Sequence, residues 1–410
     1  MKKSTLYAFF DIGNSAYIQI VIAFVIPPYF AKYIVGDVQL GAAYWQWTAG
    51  AVGFLVAMSS PFLGGLADHL HKGKIKFLII STLCTILISL LFWFSEANSS
   101  FIIYTLIIFF LSNYFFEISN CFYNSLLRES SSKERLGRTS SLGFCLGYLG
   151  IVPLLLFCLF AFIKTDQPIF DLQKENFENI RFIPIVISFW FLLFSLPMMI
   201  RFYNYNPSDL KLSPATSIFF DIKKIIWNKK ITTTGRFLLA RMFYADGIVV
   251  IQTGGGLYAV GVLNFTPQEL LYLVIVCNAF AGLITYFGGF LIDKYECKKI
   301  IMWSIFGIMV GILIIGFAQS KIHFFGAAML VAGFIGPLQS ASRVLMAKII
   351  PAANQGMGFG LYGLSSKATA FLGPVLVGTL TFYISQRVGF VSILILFLIS
   401  LWMLWKLDLD

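Results

Sequence analysis

Long apolar stretches, separated by short polar segments, recur along the whole chain. They run for about 20 residues without the alternation of apolar and polar positions that is typical of a barrel strand, so they favour helices that cross a bilayer. A helix suits this solvent because it satisfies its own backbone hydrogen bonds. We predict twelve spans, numbered 1 to 12 in chain order, at residues 6–30, 42–66, 76–95, 101–123, 139–163, 182–200, 236–260, 268–291, 300–319, 322–346, 357–383 and 388–405. Fusion of the last two would leave eleven.

A polar, lysine-rich segment at 201–235 separates the first six spans from the last six. The end of span 2 and the end of span 8 share a local pattern, in which a glycine precedes an aspartate by four residues. The two matching pairs are Gly64 with Asp68 and Gly289 with Asp293. Equivalent positions in both halves indicate a duplicated six-helix unit. We predict an N-terminal bundle at 1–200, a cytoplasmic linker at 201–235 and a C-terminal bundle at 236–410.

The composition is that of a chain whose surface lies largely in lipid. Hydrophobic residues make up 58% of the sequence and charged residues 12%, whereas a soluble domain carries about 25% charged residues. Most of the 30 Lys and Arg residues fall in segments that are cytoplasmic if both termini are cytoplasmic, as the positive-inside rule requires. We therefore expect an integral, multi-pass protein with both termini in the cytoplasm, in the inner membrane if the host is bacterial. The net charge of +11 then faces the anionic leaflet, so nucleic acid is not expected as a partner.

Six acidic or basic side chains lie in the interiors of the predicted spans, away from the span ends, although each costs about 2.5–3.5 kcal/mol at the centre of a bilayer. They fall only on spans 1, 4, 7, 10 and 11, and they are Asp11, Glu117, Arg241, Asp246, Arg343 and Lys367. This clustering favours a water-filled cavity between helices; the alternative is a set of structural ion pairs. Counting along the spans places Asp246 and Lys367 near the middle and the other four nearer the cytoplasmic end. An acid and a base at the middle could bind a zwitterion or exchange a proton, or they could only neutralise each other.

Amide side chains extend these charged positions along single helix faces. Residues three or four apart lie on the same side of a helix, and an apolar helix with one polar stripe lines a wet cavity or a polar helix contact. The stripes are Asp11 with Asn14 on span 1, Asn113, Glu117 and Asn120 with Asn124 on span 4, and Gln339 with Arg343 on span 10. Apart from Asn124, we take these residues as the solute- and proton-binding set, together with Arg241, Asp246 and Lys367.

The plan of two six-helix halves resembles the major facilitator superfamily, in which helices 1, 4, 7 and 10 line a central cavity. The loop from Gly64 to Lys74 is similar to the signature loop between spans 2 and 3 of that superfamily. The resemblance implies an all-helical membrane fold of two pseudo-symmetric bundles. It also implies that Asp68 caps helices and bonds across the cytoplasmic gate, and that Asp293 has the same role. We place Arg138 in this gate as well.

A closer resemblance, which covers almost the whole chain, is to the autophagy-related vacuolar amino-acid effluxer-like branch, once called the unknown major facilitator family. It rests on residues 10–17, 122–127, 137–143, 239–247, 339–343 and 360–367. These stretches contain all the intramembrane charges except Glu117, which precedes its stretch by five residues. The resemblance implies transport and indicates amino acids as the cargo.

Together these patterns predict a secondary active transporter of a small polar solute, with amino acids as the candidate class. It would work by alternating access, with protons as a candidate coupling ion. The alternative is a non-transporting membrane receptor or scaffold with the same fold. We expect neither an enzyme nor an ATP-driven pump, because the sequence shows no catalytic constellation and no phosphate loop. His69 and His71 are too few to hold a metal, so no metal or other cofactor is expected. The expected partners of this monomer are the solute, protons and the lipid bilayer.

Overall fold

The computed structural model describes residues 2–204 and 218–408, which are almost entirely helical. Within these described ranges, eleven helices are long and apolar enough to cross a membrane. They are Lys3–Val35, Val38–His69, Gly73–Phe94, Ser99–Ser125, Lys133–Ile163, Glu178–Tyr203, Thr233–Leu263, Tyr272–Lys294, Cys297–Phe317, Lys321–Ile349 and Gln386–Trp405. A further crossing is made by two shorter helices, Gln355–Lys367 and Leu372–Tyr383. The prediction of twelve spans is confirmed, and the two-part crossing is span 11.

Several helices are longer than the apolar runs that predicted them. Span 2 reaches beyond both ends of the predicted range 42–66. Its start is fixed by Asp37, whose carboxylate accepts two backbone N–H groups of the first turn. Thr232 caps the helix of span 7 in the same way, and Thr266 caps the helix Pro267–Lys294, which contains span 8. Because a cap satisfies donors that the first turn leaves unpaired, a helix can begin in the polar layer outside the bilayer.

Span 11 is broken between Lys367 and Leu372, and this break positions part of the site. Pro374 has no N–H, and its ring would meet the carbonyl group four residues earlier, so a continuous helix does not form there. The second helix therefore starts with backbone N–H groups that are available to an acceptor from a neighbouring span.

Twelve crossings bring both termini to the same end of the bundle, which we call the terminal side. The two halves meet there, where span 2 packs on span 11 and span 5 packs on spans 8 and 10. Small residues allow the helices to approach closely. Gly64 lies against Gly356, and the Ser60 hydroxyl donates to the carbonyl oxygen of Gly360 at 3.0 Å. The junction between the halves is therefore closed at the terminal side.

The outer surface of the bundle carries large apolar side chains. Phe54, Phe189, Phe287 and Phe306 each expose more than half of their surface. A water-soluble monomer rarely leaves so many large apolar side chains exposed. These side chains are placed to contact lipid.

The segment at 201–235, predicted as a linker, is described in part. Residues 205–217 lie outside the described residues. After them comes the linker helix, Ile218–Ile226, and then a hairpin in which Trp227–Asn228 pairs antiparallel with Lys230–Ile231. The linker helix packs against spans 2 and 7, one from each half. The division into two bundles and a cytoplasmic linker stays a prediction.

Candidate solute-binding and gating site

A buried ion pair joins the two halves between spans 1 and 10. Asp11 exposes 2% of its surface and Arg343 exposes 5%. Nη1 of Arg343 lies 3.3 Å from Oδ2 of Asp11. The Tyr123 hydroxyl of span 4 donates to the same carboxylate oxygen at 2.7 Å. Three of the predicted cavity helices therefore converge on one carboxylate, whose charge is compensated from the opposite half.

Aromatic rings surround the Arg343 guanidinium. Its central carbon lies 4.1 Å from the ring centroid of Phe144 and 5.1 Å from that of Tyr123. Tyr123 is stacked in turn on Tyr7, with ring centroids 4.3 Å apart. The faces of aromatic rings attract a guanidinium group and can also attract an organic cation. This part of the site offers both charge and apolar surface.

Two glycines of span 5 leave room for span 1. A Cβ atom on Gly143 would overlap Oδ2 of Asp11, and one on Gly147 would overlap the Ser15 hydroxyl. A larger residue at either position would displace the carboxylate or its helix. The glycines are therefore explained by the close approach of spans 1 and 5.

A second ion pair joins the halves between spans 4 and 11. Nζ of Lys367 lies 2.7 Å from Oε1 of Glu117, and these side chains keep 30% and 23% of their surface exposed. The pair is more accessible than that of Asp11 and Arg343. One interpretation of the sequence is therefore wrong, because Lys367 does not neutralise Asp246. A lysine stem covers about 6 Å, which is roughly four residues of helix rise, so Lys367 can reach an acid at a different level of a neighbouring span.

Asp246 of span 7 contacts the second helix of span 11 instead. Its Oδ2 accepts the backbone N–H of Gly373 at 2.8 Å. The carboxylate thus lies at a helix N-terminus, where aligned peptide dipoles favour negative charge. The other oxygen, Oδ1, is buried and has no hydrogen-bond partner among the described residues. A buried acceptor without a partner is costly, so Oδ1 is available to a solute donor or a proton.

Arg241 is also held by span 11. Nη1 donates to the carbonyl oxygen of Tyr362 at 2.5 Å and to the Ser365 hydroxyl at 2.6 Å. The guanidinium carbon lies 3.4 Å from the centroid of the Tyr362 ring. Arg241 and Asp246 of span 7 therefore both fix span 11 within their own half. Over residues 2–204 and 218–408, neither Arg241 nor Asp246 forms an ion pair.

At the terminal side, Asp68 caps a helix of the opposite half. Its two carboxylate oxygens accept the backbone N–H groups of Gly356 and Met357 at 2.9 and 2.8 Å. These groups belong to the first turn of span 11, whose dipole favours a carboxylate at this position. The contact links the end of span 2 to the start of span 11.

Asp293 makes the corresponding contact from the second half to the first. It accepts the backbone N–H groups of Gly137 and Arg138 at 2.6 and 3.2 Å, where the long helix of span 5 begins. Nε of Arg138 also lies 3.1 Å from Oδ2 of Asp293. The three residues predicted for the gate thus lie in two pseudo-symmetric contacts across the junction.

The four predicted amides lie on the same spans as the ion pairs. Asn14 and Asn113 are buried, and the Oδ1 atom of each has no hydrogen-bond partner in the described ranges. Asn120 and Gln339 are half-buried. The predicted residues therefore fall into two groups. One group is the two ion pairs between the halves, with amides on the same spans. The other is Arg241 and Asp246 of span 7, which contact span 11 within their own half.

Some residues of the site were not predicted from the sequence. They include Tyr123, Phe144 and the serine pair Ser141–Ser340, whose hydroxyl oxygens lie 2.7 Å apart across the halves. The sequence gives a reason to include Tyr123 in the site, because it lies in a stretch that carries the family resemblance and follows Asn120 by three residues. It gives no such reason for Phe144, which is one of 44 phenylalanines.

This arrangement of two six-helix halves is the major facilitator fold, and the chain is a membrane transporter of the major facilitator type. The structure matches the crystal structure of the major facilitator transporter FucP in the outward conformation with a TM-score of 0.78, at 14% identity, over 100% of this chain and 99% of that one. Identity at that level shows the fold. The family follows from the sequence: residues 127–410 match the model described as vacuole effluxer Atg22 like, and the chain belongs to this family.

The chain is also similar to relatives from a bacterium and a fungus. The uncharacterised MFS-type transporter YxiO of Bacillus subtilis (strain 168) is 24% identical over 409 residues, which cover 98% of this chain and 93% of that protein. Autophagy-related protein 22-1 of Aspergillus fumigatus is 24% identical over 302 residues, which cover 67% of this chain and 48% of that protein. The chain thus spans nearly the full length of the bacterial relative and about half the length of the fungal one.

Proposed function

We propose that this protein is a secondary active transporter that moves a small zwitterionic solute, of the amino-acid class, by alternating access. The observation that carries the proposal is that negative and positive side chains of the central ion pairs lie on opposite sides of the junction between the halves. The acids of the two central ion pairs, Asp11 and Glu117, belong to the first half. The bases, Arg343 and Lys367, belong to the second half.

A zwitterion placed between the halves would meet complementary charge on both sides. Its ammonium group would bind to the carboxylates of the first half. Its carboxylate would bind to Arg343, whose planar guanidinium can donate two parallel hydrogen bonds, or to Lys367. The rings of Phe144 and Tyr123 would contact the apolar part of the solute. The amides Asn14 and Asn113, with oxygen atoms that lack a partner in the described residues, would supply further acceptors.

The same charges give a reason for coupling between solute and motion. The ion pairs must separate when the terminal side opens, and breaking a buried pair leaves an uncompensated charge that costs about 3–5 kcal/mol. A zwitterion that replaces the missing partner on each half removes this cost. A proton on Asp11 or Glu117 would have the same effect on the acidic side, which is the basis for proposing proton coupling. Asp246, with one oxygen lacking a partner among the described residues, is a further proton acceptor in this scheme.

We place both termini in the cytoplasm on the basis of the Lys and Arg distribution. The described state is then closed to the cytoplasm, and Asp68, Arg138 and Asp293 form the cytoplasmic gate. In a bacterium the membrane would be the inner membrane. A single chain contains both halves of the junction, so we propose that the transporter acts as a monomer.

Uptake into liposomes that contain the purified protein tests the proposal. Labelled amino acids are offered with and without a pH gradient, and we expect saturable uptake of at least one, increased by an acidic exterior. The variants Asp11→Asn and Arg343→Gln should lose uptake by tenfold or more, because each leaves one charge without its partner. Uptake that does not respond to the pH gradient would refute proton coupling but would leave the solute class unaffected.

The matched control is Glu269→Gln. Glu269 pairs with Lys321 at 2.7 Å on the surface remote from the terminal side, and glutamine still supports the helix cap that Glu269 shares with Thr266. This variant should keep normal uptake. If no amino acid enters while an uncharged polar solute does, the solute class is wrong. Specific binding without movement of any solute would instead identify a receptor.

A further inference from the structure

The linker helix and its hairpin carry exposed groups that the transport path does not use. Two aromatic side chains of the helix expose 63% and 68% of their surface, and the hairpin tryptophan exposes 49%. All four lysines of this segment are also exposed. We define the linker surface by these groups, namely Phe219, Phe220, Lys223, Lys224, Trp227, Lys229 and Lys230.

The amphipathic pattern of the linker helix explains why these groups face outward. One apolar face of the linker helix is formed by four isoleucines spaced about one helical turn apart, namely Ile218, Ile222, Ile225 and Ile226. The last three of these are partly buried against the core of the bundle. The remaining side of the helix presents the phenylalanines and lysines. The linker surface is therefore a fixed feature of a docked helix.

The position of the linker helix places this surface at the level of the membrane interface. The hairpin leads directly into span 7, whose long helix starts at Thr233. Ile218 lies over Gly65 near the end of span 2, a span that exposes apolar side chains such as Phe62 and Leu66 to lipid. Aromatic side chains are favoured at the boundary between headgroups and acyl chains. Phe219 and Phe220 are thus placed where acyl chains begin.

The charge of the linker surface selects the kind of lipid. Four lysines are accompanied by a single acid in this segment, Asp221, which is half-buried. Lysines near a bilayer are attracted to anionic headgroups over a distance of about one Debye length. We propose that the linker surface binds anionic phospholipid, and that this binding stabilises the closed junction at the terminal side. A protein partner is the competing outcome of the test.

The second part of the proposal rests on what lies beneath the linker helix. It packs on span 2 of the first half and on span 7 of the second. Ile218 and Met357 both pack against Gly65, each with a side-chain atom within 3 Å of the position a Cβ would take there. The backbone N–H of Met357 is one of the two that Asp68 accepts. A lipid that holds the linker helix in place therefore holds it against both sides of the junction. A bound ligand favours whichever state it binds more tightly.

A thermal-shift titration of the full chain in neutral detergent tests the binding. Phosphatidylglycerol should raise the melting temperature at lower concentration than phosphatidylcholine, and raising the salt from about 50 to 500 mM should weaken this preference. In the variant K223Q/K224Q/K229Q/K230Q the midpoint of the phosphatidylglycerol titration should rise by roughly fivefold or more. Glutamine has a helix propensity close to that of lysine, so the melting temperature without anionic lipid should not change.

The matched control removes four other exposed charges on the terminal side, in the variant K76Q/K133Q/R135Q/K294Q. Its midpoint should stay within about twofold of the wild-type value. The proposal is overturned if the linker variant keeps the wild-type midpoint, if the control variant shifts as much, or if phosphatidylcholine acts as well as phosphatidylglycerol. A lysine-dependent interaction that lipid does not displace would point to a protein partner and would also overturn it.

Hydrogen exchange tests the effect on the junction without any transport assay. Anionic lipid should slow the exchange of amides in residues 355–367 of the wild type by about threefold or more, because it favours the state in which Asp68 holds that helix. The linker variant should lose this protection, and the control variant should keep it. Unchanged exchange in a wild type that binds the lipid would refute the coupling to the junction. Since neither readout measures solute movement, the result stands apart from the proposed transport function.

Discussion

The pair formed by Asp11 and Arg343 predicts a stability effect that does not depend on the solute. Replacing Arg343 with Met leaves a carboxylate with 2% exposure and one neutral donor, the Tyr123 hydroxyl. Removing one partner of a buried pair costs about 3–5 kcal/mol. Each half falls in the size range of 150–250 residues, for which a loss of 1 kcal/mol in the free energy of unfolding lowers the melting temperature by about 2–4 °C. The melting temperature of Arg343→Met should therefore fall by roughly 6–20 °C.

The double variant Asp11→Asn/Arg343→Met separates lost charge from lost packing. It removes both ions and keeps a side chain that can pair with the Tyr123 hydroxyl, and exchange of a whole buried pair for neutral groups is often neutral or stabilising. We therefore expect it to melt close to the wild type. Thermal melting of the four proteins in detergent gives the double-mutant cycle, with a coupling of about 2 kcal/mol or more.

The exposed pair of Glu269 and Lys321 provides the reference for a pair whose loss should change stability little. Exposed pairs contribute about 0–1 kcal/mol, so Glu269→Gln should change the melting temperature by no more than a few degrees. The reasoning is refuted if Arg343→Met melts like the wild type, or if the two central substitutions simply add. Either result would mean that the charges of Asp11 and Arg343 are solvated separately.

Three further outcomes are expected. Gly143→Ala should cost about 1–3 kcal/mol because its Cβ atom overlaps the facing carboxylate, whereas Gly50→Ala, with no atom within 4 Å of the new Cβ, should melt normally. Asp68→Asn should lower kcat by roughly tenfold with little change in KM, because the amide nitrogen cannot accept one of the two N–H groups; equal changes in both constants would count against a gate. Lys367→Ala and Asp246→Asn should abolish uptake while membrane insertion, followed by fractionation, is unchanged, and normal uptake in both would contradict their assignment.

The helical plan could be predicted from the sequence because the physics that fixes it is local. An apolar run of bilayer length has few alternatives to a helix, and even the broken span 11 is signalled by Gly373 and Pro374. Helix ends were less predictable. Asp37 and Thr232 start spans 2 and 7 through side-chain caps in the polar layer, outside the apolar runs that hydropathy detects.

The partners of the charged residues could not be predicted, because they depend on how distant helices pack. Counting residues placed Lys367 level with Asp246, yet the break in span 11 gives Asp246 a backbone donor at Gly373 and leaves Lys367 free to reach Glu117. A one-residue step turns a helix by about 100°, so small errors in register change the partner of a side chain. The aromatic residues around Arg343 could not be predicted for a different reason. Aromatic residues make up 17% of the sequence, so nothing distinguishes those of the site from the others.

The junction combines two kinds of contact whose range differs, and this difference favours two discrete states. The packing of Gly64 on Gly356 and the capping of span 11 by Asp68 need atoms in direct contact, so their energy is lost within the first ångström or so of separation. The attraction between Asp11 and Arg343 falls only as the inverse of distance and persists as the halves begin to part. A partly opened junction thus loses the short-range contacts before a solute or water can compensate the separated charges. Such an intermediate is unstable relative to either end state, so the junction should switch between closed and open as a unit.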